Sequence, residues 1–222
     1  SQIELRVIAA LAGDEAMISA FKNGEDIHRA TAAKVFEVAP EEVTREQRSN
    51  AKTVNFGIVY GVSAFGLSQQ TDMSRKEAKA AIDGYFRTYP GIKEYMDKQV
   101  AVAREKGYVE TITGRRRYLK DIDSRNAVVR GHSERNAVNA PIQGSAADII
   151  KLAMIELDRA MRDANMKSKM LLQVHDELVF DARIEELEAL KSLVIEKMEA
   201  AVSLAVPMVA EVGTGANWLE AH

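Results

Sequence analysis

Apolar positions recur at helical spacing through most of this chain and alternate at strand spacing in only a few short stretches. Ile3, Leu5, Val7 and Ile8 place the very start inside an element. Met17, Ile18 and Phe21, then Ile27, Ala30 and Val35, follow the repeat of amphipathic helices over Asp14 to Phe21 and Asp26 to Val38, with a break at Asn23-Gly24. Pro40 ends that block. Thr44-Arg45-Glu46-Gln47 and Ser74-Arg75-Lys76-Glu77 are capping boxes, each predicting a helix start. The second of these helices runs through Ile82 and Phe86 and stops before Pro90-Gly91, and another runs from Ile92 towards Gly107. Val109 to Leu119 predicts a hairpin about Thr113-Gly114. Helical pattern returns over Arg125 to Asp163, with an interruption expected at Pro141, and again from Ile184 to Ala201. Val206 to Val212 predicts a last strand, on an edge because of Pro207. Helices lead, strands gather late, and the class is α+β.

Lys169 to Ala182 organises the second half. Met170 to Val174 and Leu178 to Phe180 are apolar runs about a polar His175-Asp176-Glu177 step, which reads as strand, tight turn, strand. Tight hairpins favour Asn-Gly or Asp-Gly because their central residues need positive φ. His175 and Asp176 are poor choices for that, so the tip of an otherwise buried hairpin is either an awkward surface turn or a carboxylate site for a metal.

The helix after Thr44 carries a second pattern. Arg48, Lys52, Phe56 and Tyr60 recur every four residues, and Gly57 and Gly61 follow the aromatics. The four side chains form a ridge about 18 Å long, two cations followed by two aromatics. A ligand anionic at one end and flat at the other, such as a nucleoside triphosphate, matches that order. A helix with its aromatic half in the core and its basic half in solvent matches it too. Each glycine costs about 1 kcal/mol relative to alanine, which calls for a close approach and favours the ligand.

Composition bounds these readings. The chain has 222 residues, 46% hydrophobic and 28% charged, enough for one or two domains with a sizeable core. It has no cysteine, which excludes disulfides and thiolate metal sites. No long uncharged apolar run predicts a membrane span. The net charge of −3 does not announce a nucleic-acid binder. Between Thr111 and Arg135, however, seven Lys or Arg face three acids, a local net of +4. Such a stripe can track a phosphate backbone or simply be a solvated face.

Taken together, Arg48, Lys52, Asn55-Phe56-Gly57 and Tyr60-Gly61 resemble the fingers-helix motif of the family-A DNA polymerases, in particular the bacterial DNA polymerase I subgroup. Ser1-Gln2-Ile3-Glu4-Leu5-Arg6 resembles the tail of that family's first palm motif, and Gln173-Val174-His175-Asp176-Glu177 its last. Arg135, Asn139, Pro141, Gln143 and Gly144 are similar to its minor-groove helix. The motifs come in family order and span essentially the whole chain.

The resemblance implies part of a right-handed polymerase: palm over 1–20, helical fingers over 21–125, and palm with a small antiparallel sheet over 126–222. It implies template-directed nucleotidyl transfer to a primer 3′-hydroxyl with two Mg²⁺ ions, in a monomer of the bacterial cytoplasm, with primer-template DNA and deoxynucleotides as partners and no membrane. Arg48, Lys52, Phe56, Tyr60, Gln2 and Glu4 would bind the incoming nucleotide, Glu4 excluding a 2′-hydroxyl and Lys52 donating a proton to leaving pyrophosphate. Asp176 and Glu177 would be the metal and catalytic carboxylates. Arg135, Asn139, Gln143, His175, Arg115 and Arg116 would contact DNA. The family's first palm motif opens with an Asp-Tyr that would precede Ser1, and that aspartate is the other shared metal ligand. The expectation is therefore that residues 1–222 alone bind nucleotide or DNA without catalysis. A single-subunit RNA polymerase is the related alternative, against which Glu4 argues.

Overall fold

A computed structural model describes residues 2–221. The chain divides into two compact units, Glu4–Ser145 on one hand and residues 2–3 with 146–221 on the other. Among the described residues, helices dominate and the sheets are two antiparallel pairs of two strands each. That is the expected α+β class.

The larger unit opens with α1 (Ile3–Ala12), α2 (Glu15–Lys22) and α3 (Ile27–Val35). Leu5, Val7, Ile8, Met17 and Ile27 are wholly buried, which accounts for the apolar start of the chain. A 3-10 turn at Pro40–Glu42 leads into α4 (Arg45–Val59), where Thr44 Oγ1 accepts from Gln47 N and Gln47 Oε1 accepts from Thr44 N. The capping box thus satisfies two N–H groups that the first helical turn would otherwise leave bare. After α5 (Ala64–Ser68), Ser74 and Glu77 form the same device at the start of α6 (Arg75–Thr88). Helix α7 (Pro90–Lys106) begins with a proline whose missing N–H costs nothing there, and ends at Gly107 with φ 75°. Asp14, 3% exposed, ties two helix starts together: Oδ1 accepts from Met17 N and Oδ2 from Gly91 N. The hairpin β1 (Tyr108–Glu110) and β2 (Arg116–Tyr118) follows, with Gly114 at φ 82° in its turn.

Helix α8 (Ala127–Asp163) is where the expected interruption fails to appear: it runs 37 residues with Pro141 inside. Proline within a helix costs about 3 kcal/mol. Burial offsets it, for Ile142 beside the proline is wholly buried and Val138 nearly so, and a fully buried large apolar side chain contributes about 1.5–3 kcal/mol.

In the smaller unit, β3 (Lys169–Val174) pairs with β4 (Glu177–Asp181) in an antiparallel register from Lys169↔Asp181 to Val174↔Glu177. After a 3-10 turn at Ile184–Glu186 comes α9 (Leu187–Glu199), and Leu157, Met161, Leu190 and Val194 form the core, flanked by Leu178 and Phe180. Two expectations are corrected here. The hairpin is not otherwise buried, for Leu171 is 57% and Leu172 45% exposed, because only the β4 side packs on that core. Val206 to Val212 is irregular rather than a strand. Pro207 has no N–H for a ladder, and Ala210 N donates instead to the Glu199 side chain at 3.0 Å. A four-residue helix, α10 (Trp218–Ala221), closes the described chain.

Candidate nucleotide and carboxylate sites

Three of the four ridge residues, Lys52, Phe56 and Tyr60, line an open cleft of about 520 Å³ together with Val62 and Gln70, and Arg48 lies outside that lining. That volume is within the range of small-ligand sites. Lys52 is exposed and Phe56 half-buried. Behind them α4 is anchored by a buried polar chain. Asn55, fully buried, donates from Nδ2 to His28 Nδ1 at 3.0 Å and accepts from Thr31 Oγ1 at 3.1 Å, and Thr31 Oγ1 lies 3.2 Å from the Tyr89 hydroxyl. Four side chains, from α3, α4 and the link between α6 and α7, satisfy one another, as buried polar groups must. The His28 ring centroid stands 5.8 Å from that of Phe56. Burial pushes the His28 pKa down to about 4, the nearby Arg48 and Lys52 charges acting in the same direction and Asp26 against them. His28 is therefore neutral at pH 7, and since Nδ1 accepts from Asn55, the proton belongs on Nε2.

Tyr60 caps α4 and donates to Glu4 Oε2 at 2.6 Å. Burial, then Glu4, pushes the Tyr60 pKa up to about 12, with Gln143 beside the same hydroxyl acting the other way. Glu4, Tyr60 and Gln143 thus form one contact chain from α1 through α4 to α8. Spacing alone does not bring Glu4 to Tyr60, 56 positions away, although the family resemblance assigns both to the nucleotide.

The glycines of the ridge have a different cause from the one expected. A Cβ at Gly57 would come within 2.7 Å of Val62, and one at Gly61 within 2.9 Å of Arg135 Cγ. Gly61 also has φ 71°. Close approach is real, but it is to the protein's own side chains. Arg135 therefore spends its stem packing against α4. Asn139 has a buried Oδ1 with no protein partner. Arg115 donates from Nη2 to the Gly144 carbonyl at 3.1 Å, while Arg116 pairs with Glu110 at 2.9 Å and lies over the Tyr108 ring. Both hairpin arginines are thus already engaged internally.

Two residues that back the α4 ridge escaped sequence reasoning. Asp26 caps α3 and pairs with Arg48 at 2.6 Å, and His28 backs Phe56. Contacts across 22 and more positions leave no periodic trace in a single sequence.

In the smaller unit, His175 occupies the hairpin turn with φ 54°. A non-glycine residue there costs about 1–2 kcal/mol. Asp176 follows it, exposed, and also lines a narrow apolar cleft with Ile149, Ala153 and Met198. Glu177 begins β4 opposite Val174. Among the described residues no group of three or more His, Cys, Asp or Glu comes together. Carboxylate oxygens suit Mg²⁺, which usually takes one or two carboxylates with substrate phosphates and water. The Asp176–Glu177 pair fits that donor set. Gln2, at φ 56°, lies beside the start of α1.

The family model for DNA polymerase family A matches residues 1–220. This chain belongs to DNA polymerase family A. DNA polymerase I of Streptococcus pneumoniae is 56% identical over 222 residues, covering all of this chain and 25% of that protein. DNA polymerase I of Geobacillus stearothermophilus is 53% identical over 221 residues, again covering 25% of the relative. The chain thus spans about a quarter of the length of the curated relatives it matches. Among solved structures, the polymerase domain of Pol1 from M. smegmatis, in complex with DNA primer-template and dNTP, has a TM-score of 0.95 and 48% identity, covering 100% of this chain and 39% of that one.

Proposed function

We propose that this chain supplies the nucleotide-gripping fingers and part of the carboxylate-bearing palm of a DNA-directed DNA polymerase. The observation that carries it is the α4 cleft, which sets Lys52, Phe56 and Tyr60 along one wall and ties Tyr60 to Glu4. The family membership and the M. smegmatis complex support it. In this reading Arg48 and Lys52 hold the triphosphate, Phe56 and Tyr60 offer their faces to sugar and base, and Gln2 assists them. Glu4, fixed by a charge-assisted hydrogen bond from Tyr60, occupies the space a 2′-hydroxyl would need. Lys52 Nζ would give a proton to the leaving pyrophosphate.

On the DNA side, Arg135, Asn139, Gln143 and His175 meet the primer-template. Arg115 and Arg116 contribute through the field of the basic hairpin, their donors being partly committed. Asp176 and Glu177, with a further carboxylate that the family pattern puts before Ser1, would hold two Mg²⁺. When bound, the ions acidify the primer 3′-hydroxyl and neutralise charge on the leaving group. The enzyme is read as a monomer of the bacterial cytoplasm, and among the described residues no helix is long and apolar enough to cross a membrane.

The test is Lys52→Ala in a polymerase carrying this chain. Nucleotide incorporation should slow by about 10²- to 10³-fold, as for other pre-organised cations at a transition state, with duplex affinity unchanged. Equal losses of rate and duplex binding would make Lys52 a DNA contact instead.

A further inference from the structure

Arg48 is gripped in a way the ridge does not require. Its Nε donates to Asp26 Oδ2 at 2.6 Å. The other carboxylate oxygen of Asp26 accepts from two backbone N–H groups, His28 at 3.0 Å and Arg29 at 3.1 Å. The carboxylate is therefore held by the start of α3 and cannot swing. Burial would raise the Asp26 pKa, but the Arg48 hydrogen bond and the backbone N–H groups outweigh it and hold the group below its ordinary value. The two side chains are 41% and 35% exposed, and ion pairs that open add little to stability. Geometry is the more informative feature. A guanidinium carries five N–H donors in a planar fork. An end-on pair with a carboxylate would consume its two terminal nitrogens, whereas this side-on contact uses Nε and leaves Nη1 and Nη2 to another anionic acceptor.

We propose that Asp26 is a positioning residue for nucleotide binding: it holds Arg48 by Nε so that the terminal edge of the guanidinium is presented, already oriented, to triphosphate oxygens. The inference rests on reading Arg48 as a phosphate holder. Ordering a long, rotamer-rich side chain at the moment of binding lowers affinity, and Asp26 carries out that ordering beforehand. The opposite role, in which the carboxylate competes with phosphate for Arg48, predicts the reverse sign.

Asp26→Asn in a polymerase carrying this chain separates these. Asparagine caps helices as well as aspartate, so α3 keeps its start. Its amide cannot hold Arg48 as the carboxylate does. The expected result is a KM for deoxynucleotide about tenfold higher, with kcat within about threefold and duplex affinity unchanged. Asp26→Ser, also a good cap but too short to reach Arg48, should do the same. In an Arg48→Ala background, Asp26→Asn should add nothing, since the residue acts through Arg48. An unchanged or lowered KM in Asp26→Asn, with Arg48→Ala raising it, overturns the positioning role. So do fully additive losses in the double variant. If Arg48→Ala itself leaves the KM unchanged, it is the phosphate reading of Arg48 that fails.

Discussion

The α4 cleft and the β3–β4 hairpin tip are built on opposite principles. Around α4 nearly every proposed ligand group is held by another residue: Arg48 by Asp26, Phe56 backed by His28, Tyr60 by Glu4 and Gln143. Behind them Asn55, Thr31 and Tyr89 form a buried, mutually satisfied network. The hairpin tip has a strained His175, an exposed Asp176 and a strand whose Leu171 and Leu172 remain more than two-fifths exposed. Such pre-organisation suits the organic ligand proposed for the cleft, because ordering loose side chains on binding would lower its affinity. The tip offers carboxylate oxygens and strain, which is reasonable where metal ions and substrate phosphates would complete the arrangement. Substitutions in the first should therefore be graded by what they unhinge. In the second they should be close to all or none.

The largest effect is expected at Asp176. In a polymerase carrying this chain, Asp176→Asn removes a charge but not a volume, and primer extension should fall by about 10³-fold or more, while deoxynucleotide binding at the α4 cleft survives. For the same reason a polypeptide of residues 1–222 by itself should show salt-sensitive nucleotide or DNA binding without extension. A gel assay of template-dependent extension reads both. Extension by the 222 residues alone would mean that carboxylates already within them suffice, and robust activity of Asp176→Asn would take the hairpin out of the chemistry.

A smaller, purely selective effect should arise at Glu4. Its carboxylate is fixed by the 2.6 Å bond from Tyr60, so it can exclude a 2′-hydroxyl without moving. Glu4→Ala should raise the ratio of kcat/KM for ribonucleotide over deoxynucleotide by about 10- to 100-fold, within what one steric contact can discriminate. Glu4→Gln, which keeps the shape, should shift it far less. A ratio unaltered in Glu4→Ala would return this residue to being a partner of Tyr60 and nothing more.

Much of this was legible in the sequence, and the residues show why the rest was not. The two capping boxes, the Thr113-Gly114 turn and the four-residue repeat of the ridge are local, and each appears where its pattern places it. Pro141 and Val206 to Val212 misled because local preference was overridden in opposite directions: burial carried α8 through a proline, while side-chain bonding from Glu199 replaced a ladder. Gly57 and Gly61 signalled a close approach correctly, but a sequence cannot say whether the approaching group is a ligand or the protein's own Val62 and Arg135. Asp26 and His28 gave no signal, because what matters about them is a contact with a helix that starts many residues later.

The smallest effect is a pH dependence confined to the cleft. His28 is held neutral down to about pH 4, against an ordinary value of 6.5. Between these values the unfolded segment takes up a proton that the folded one refuses, so stability rises with pH across the window and is lost as pH falls through it. At pH 5.5, one unit below the ordinary value, opening of α3 and α4 should be about tenfold more frequent than at pH 7.5. Asp26, the carboxylate that acts on His28, does not confuse the measurement there, since its pairing with Arg48 and the α3 backbone holds it below the ordinary carboxylate range. Hydrogen exchange of Ile27–Val35 and Arg45–Val59, corrected for intrinsic rates, reads that opening directly. His28→Gln retains an acceptor for Asn55 but has no proton to take up, and it should reduce the pH effect to about threefold or less. A wild-type cleft whose protection is flat from pH 7.5 to 5.5 would show that the ring is more hydrated, and the cleft less pre-organised, than the buried chain of hydrogen bonds implies.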